Sequence, residues 1–177
     1  MKKTMLSLHL ILILLVGVTS VYANHSLSFD GVDDYVTVSD ALILNPGIGD
    51  FSITGWVKTE GSSGIICSKS SGSGQSDPNN DDWYIISLDA GRIAFEITDG
   101  YSGPGDYVYL SGLTTINNNS WHHFSVVFDR DGSGSIYIDG ILDNSTDISG
   151  IPGDITSTDP IEIGYDTNHI TEFFTGN

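Results

Sequence analysis

At 177 residues and 39% hydrophobic content, the chain is one domain's worth of sequence and can bury a sizeable core. Six basic residues stand against 23 carboxylates, a formal charge of −17, and a field of that sign excludes nucleic acid and an anionic membrane surface as partners. Cys67 is the single cysteine, so an internal disulfide is excluded too; within the apolar run Gly64-Ile65-Ile66-Cys67 it reads as a buried, inert thiol.

The first 23 residues stand apart from the core. Lys2-Lys3 form a basic leader, Leu10 to Val16 an unbroken apolar run, and Val21-Tyr22-Ala23 a small-residue cleavage pattern, together a secretory signal peptide cut after Ala23. The run is too short to span a bilayer comfortably. No cysteine near the cleavage point offers a site for a lipid anchor, so the expected destination is secreted or cell-surface. Cleavage removes Lys2 and Lys3 and takes the charge from −17 to −19, leaving Lys58, Lys69, Arg92 and Arg130 as the basic residues of the mature domain, 24–177. Such an excess of carboxylates makes a solvated, self-repelling surface and provides the oxygen ligands that hard cations take.

His25 to Val38, HSLSFDGVDDYVTV, reads as a hairpin with its turn at Asp30-Gly31. Its aspartates, Asp30, Asp33 and Asp34, are turn formers or metal ligands. After a loop from Leu42 to Gly49, the run Phe51 to Val57 alternates with period two. Phe51, Ile53, Gly55 and Val57 share one face, and Ser52, Thr54 and Trp56 the other. Ser70 to Asp82, SSGSGQSDPNNDD, is a surface loop between strands Ile65–Ser68 and Trp83–Leu88. Trp83–Leu88, the turn Asp89-Ala90-Gly91 and Arg92–Ile97 make a second hairpin, and Tyr107–Leu110 a further strand.

Ser120 to Gly140, SWHHFSVVFDRDGSGSIYIDG, is the most informative stretch. Two apolar runs, Phe124 to Phe128 and Ile136 to Ile138, flank a glycine-rich turn, and Asp139-Gly140 favours a tight turn returning through Ile141-Leu142. The result is a three-stranded meander. Ile161 to Ile163 is the next strand, and no amphipathic helical window appears, so the fold class is all-β.

These motifs carry a resemblance. W-H-H-x-x-V-V-F-D followed by I-Y-I-D-G, at Trp121 to Asp129 and Ile136 to Gly140, resembles the laminin G-like domains of the concanavalin A-like lectin/glucanase superfamily. F-D-G-x-D-D-Y-V at Phe29 to Val36 and F-x-I-x-x-W-V at Phe51 to Val57 extend it. The resemblance implies an antiparallel β-sandwich of jelly-roll type. Trp56 packs in the family, although its place on the more polar face also suits stacking on a sugar. Phe174 and Gly176 match the F-x-G that precedes a last family strand of the form I-D-E-V-R-I-Y, which is not present. The domain is therefore expected to be incomplete at its C-terminus, with an unpaired edge beside Leu27–Phe29 and Ile161–Ile163.

Little of the chemistry-bearing content points to catalysis. His122 and His123 are adjacent on a strand, so they face opposite ways and do not share an ion. Asp129 to Ile136 matches the front half of an EF-hand loop, but Gly140 stands where the closing glutamate is required and strands flank it, so it reads as a hairpin turn. Glu96, Glu162 and Glu172 form no cluster of the E-x-D-x-E kind that glycan-cleaving relatives carry, and Arg92 and Arg130 adjoin turns as structural residues. The expected role is non-catalytic recognition of carbohydrate or a surface protein through rim loops. The alternatives are a glycan-active hydrolase or lyase and a purely structural module.

Pentraxins among the relatives hold calcium between an acidic pair before a mid-chain strand and an acidic, amide-bearing loop after a strand ending in glycine. The matching positions are Asp81, Asp82, Asp166 and Asn168. Either these bind calcium as an all-oxygen set or both segments are solvated loops.

Overall fold

The computed structural model describes residues 25–70, 82–100, 107–167 and 172–177. The segment expected to be a signal peptide, Asp81, Asn168 and His169 lie outside them, as does the side chain of Asp82. Apart from a 3₁₀ turn at Leu42–Leu44, the described elements are strands: β1 Phe29–Asp30, β2 Val36–Val38, β3 Phe51–Val57, β4 Ser63–Ser70, β5 Asp82–Asp89, β6 Arg92–Asp99, β7 Tyr107–Ser111, β8 His122–Phe128, β9 Ser133–Ile138, β10 Ile141–Asp147, β11 Ile161–Ile163 and β12 Thr175–Gly176. They form a six-stranded antiparallel sheet in the order β2-β11-β4-β5-β6-β7, a four-stranded one in the order β10-β9-β8-β3, and the pair β1-β12.

Alternation builds the core between the two larger sheets. Phe51 stacks on Phe128 at 4.4 Å between ring centroids and meets Tyr84 at 5.2 Å, while Phe95 meets Phe128 edge-on at 5.1 Å. Ile86, Ile93 and Ile97 of one sheet join Val126 and Ile136 of the other, all fully buried. Gly134 has no side chain for a spatial reason: a Cβ there would run into the ring of Phe95. The turns follow their residue types. Ala90-Gly91 and Asp139-Gly140 both have positive φ at each position, the signature of type I′ hairpins, and Gly132 N–H closes the β8–β9 turn onto Asp129 O at 2.9 Å.

The opening segment departs from expectation. β1 and β2 do not pair with each other: β1 pairs with β12 and β2 with β11. Phe29 drives the split by burying its ring against Phe174 at 5.9 Å, which carries β1 to the chain's end. The unpaired edge expected beside Ile161–Ile163 is not found, because β11 lies between β2 and β4, whereas β1 has β12 on one side and, among the described residues, no strand on the other. Lys58 and Asn177 exchange both backbone hydrogen bonds at 2.9 Å, seating the last residue against the extension of β3. The edge of the four-stranded sheet next to these residues is β3 itself.

Candidate functional site

Of the positions expected to hold calcium, the described residues place Asp166 at the rim of the six-stranded sheet where β5 starts with Asp82. Ser70, the last residue of β4, pairs with Trp83, which follows Asp82 at the start of β5. Ser70 Oγ also donates to Asp166 Oδ2 at 3.0 Å, and Asp166 is fully buried. Gly164, at φ +87°, ends β11 and turns the chain so that Tyr165 to Thr167 fold over the end of β4, where Ser68 Oγ donates to Tyr165 O at 3.4 Å. Asp166 is thereby brought beside the start of β5.

A second carboxylate braces this rim, and sequence reading missed its role. Glu162 is 9% exposed and accepts hydrogen bonds from Thr167 N–H and Thr167 Oγ at 2.7 Å each. The signal was present as a lone glutamate alternating with Ile161 and Ile163 and followed five residues later by a hydroxyl. Partial burial raises the Tyr165 phenol above its ordinary pKa, and the Glu162 and Asp166 charges add to the effect. Carboxylate and hydroxyl oxygens of this kind suit a hard cation and not a soft one.

Asp30, Asp33 and Asp34 also converge, with one carboxylate oxygen from each within 4.8 Å of the others, all exposed. Two of them already serve the backbone: Asp30 Oδ1 accepts from Val32 N–H at 2.8 Å and Asp34 Oδ2 from Asp30 N–H at 3.1 Å. That geometry is a turn's own.

The remaining candidates take structural places. His122 lies between Asp139 Oδ2 at 2.9 Å and Asn118 Oδ1 at 3.1 Å, whereas His123 turns the other way to Thr54 Oγ at 2.8 Å, so the two do not share a ligand. Arg130, 4% exposed, spends its guanidinium on backbone carbonyls: Ile151 O at 2.6 Å, Gly153 O at 2.7 Å and Gly47 O at 3.3 Å. Burial lowers its pKa from the ordinary arginine value. Asp129 and Asp131 lie exposed in the hairpin turn, where their mutual proximity raises the Asp129 carboxyl. Cys67 packs against the core and burial pushes its thiol up to about 12, which leaves it protonated and inert. Glu96 and Glu162 share a face but stand three strands apart through Ile85 and Ser68, about 14 Å at the backbone. The Glu162 carboxylate is moreover committed to Thr167, so the two are not presented as the facing acid pair of a glycosidase. Trp56 does not pack: it is 64% exposed and meets the His123 ring edge-on at 5.4 Å.

A protein-family model described as the concanavalin A-like lectin/glucanases superfamily, of laminin G type, matches residues 30–177. No curated protein matches the sequence. Among solved structures, domains LG4-5 of the mouse laminin α1 chain superpose with a TM-score of 0.61 at 14% identity, over 85% of this chain and 38% of that one. The LG1-3 region of the laminin α2 chain gives 0.64 at 16% identity, over 84% and 29%. The receptor-binding domain of botulinum neurotoxin D gives 0.58 at 16% identity, over 77% and 34%. The chain thus spans roughly a third of the length of each of these structures and shares their fold. By sequence model and by architecture alike, it belongs to the laminin G-like branch of the concanavalin A-like lectin/glucanase superfamily.

Proposed function

We propose that this chain is a secreted or cell-surface, non-catalytic recognition module that binds carbohydrate or a surface protein through one rim of the sandwich, with calcium held there. The observation that carries the reading is the junction at Ser70, which holds the buried Asp166 beside the start of β5. Asp166 and Asp82 would be calcium ligands, with Asp81 and Asn168 completing the side-chain set. Four side chains and nearby carbonyls approach the six to eight oxygens calcium takes, and a remaining position is open to a hydroxyl or carboxylate of the partner. Structures that resemble this one include a receptor-binding domain, which agrees with a binding role.

The test is a glycan array probed with the mature protein in calcium and in EDTA, beside the Asp166→Asn variant. Binding that needs calcium and is lost in the variant supports the reading; array binding indifferent to both removes the rim from it. The competing reading, a glycan-active hydrolase or lyase, predicts new reducing ends or unsaturated products from incubated polysaccharides. The commitment of Glu162 to Thr167 weighs against it.

A further inference from the structure

We propose that the outer face of the four-stranded sheet is a second, metal-independent binding site, a flat platform for an uncharged polysaccharide chain stacked on Trp56 and Tyr137. The proposal shares with the preceding section only the premise that the module binds glycan; its residues lie on the other sheet.

The pairing of β3, β8, β9 and β10 fixes which side chains face outward: Ser52, Thr54 and Trp56; His123, Ser125 and Val127; Ser133, Ser135 and Tyr137; Leu142, Ser145 and Asp147. In a chain of formal charge −17, these twelve positions include no lysine or arginine and one carboxylate, Asp147, at a corner, with Lys58 bordering them beyond Trp56. Hydroxyls, aromatic rings and apolar groups fill the rest. A cationic partner would favour the carboxylate-rich surface elsewhere, and an anionic glycan is repelled by the protein's field. A neutral chain fits where charge is withheld.

The polar and aromatic groups match sugar chemistry. The indole of Trp56 is 64% exposed, although the core-ward face of β3 is already filled by Phe51, Ile53 and Val57; it stabilises nothing in the core and presents a broad apolar surface to solvent. Thr54 Oγ–H donates to Phe124 O at 3.0 Å, so the same oxygen accepts from His123 Nε2–H at 2.8 Å. The contact holds the His123 ring beside the indole, 5.4 Å between ring centroids. Lys58 directs its backbone groups outward to Asn177, so by strand alternation Trp56, Thr54 and Ser52 direct theirs to the same open edge. Sugar hydroxyls pair with such groups. Trp56 and Tyr137 stand two strands and two residues apart, about 12 Å, the reach of an oligosaccharide and not of a single ring.

The experiment is affinity electrophoresis of the full mature chain in EDTA through gels containing neutral polysaccharides (mixed-linkage β-glucan, xylan, dextran) or anionic ones (alginate, polygalacturonate, heparin). The expected result is retardation by at least one neutral polymer and by none of the anionic ones. Trp56→Ala and Tyr137→Ala weaken it about tenfold or more, Trp56→Tyr retains most of it, and Tyr109→Ala, a tyrosine on the opposite sheet, leaves it unchanged. Circular dichroism melts equal to the parent's verify that the variants fold. The proposal is overturned by no retardation in any neutral gel, or by retardation that survives both alanine variants. It is equally overturned by a sedimentation-detected dimer that Trp56→Ala dissolves, which would assign the face to a second copy. Loss of calcium binding at the rim would leave it standing, so the two readings fail separately.

Discussion

Replacing Arg130 with methionine keeps an apolar stem of similar length and removes the guanidinium that ties the β8–β9 hairpin to the loops at Gly47 and Ile151–Gly153. Gly47 O keeps a second donor, Ile155 N–H at 3.1 Å, but Ile151 O and Gly153 O lose theirs. A buried acceptor left without a donor costs about 1–3 kcal/mol, and the relief of leaving no buried cation offsets part of the total. The net expectation is about 3 kcal/mol of destabilisation, a fall in Tm of about 6–12 °C for a domain of this size. Arg130→Lys should lose roughly half as much, since an ammonium reaches some of the same carbonyls. Urea denaturation monitored by tryptophan fluorescence measures both. A methionine variant within about 0.5 kcal/mol of the parent, or equal losses for both variants, would refute the staple.

Asp143 is the extra residue of a bulge between Leu142 and Asn144, and its carboxylate accepts from Leu113 N–H at 2.7 Å, Thr114 N–H at 3.0 Å and Thr114 Oγ–H at 2.5 Å. Asp143→Ala should cost about 2 kcal/mol and speed amide exchange at Leu113 and Thr114; exchange equal to the parent's would count against the clamp. The Asp139 carboxyl is held below its ordinary pKa by the His122 ring and the His123 amide. A carboxylate lowered in the folded state contributes stability above its unfolded pKa, about 3.9, and loses it as pH falls through the lower folded value. Melts should therefore show stability declining below about pH 4, with Asp139→Asn flattening part of that decline. Asp40, Asp147 and Asp154 add in the same sense, while the raised Asp129 works against them.

The meander at His122–Asp147 was readable from sequence because every cue there is local: alternation, Asp-Gly turns and short connections. The pairing of β1 was not, since its partner lies at the far end of the chain and is chosen by the contact between Phe29 and Phe174. Composition carries no record of such a long-range choice. Of the calcium set, the approach of Asp166 to the start of β5 was inferable only through resemblance, and the brace from Glu162 to Thr167 needed the turn at Gly164 to become visible. The exposure of Trp56 was half legible: alternation put it on the polar face, and the absence of any layer over that face among the described residues is a property of the assembled sheets.

The central claim, a calcium-dependent recognition rim, is tested most directly by thermal melts of the mature chain in calcium, magnesium and EDTA, run in parallel on Asp82→Ala and Asp166→Ala. Calcium at a hundredfold over its dissociation constant should stabilise the parent by about 2.7 kcal/mol, a rise of about 5–11 °C in Tm. Magnesium should do far less, and each variant should lose the response. A Tm indifferent to calcium, or variants that respond as fully as the parent, would contradict the claim.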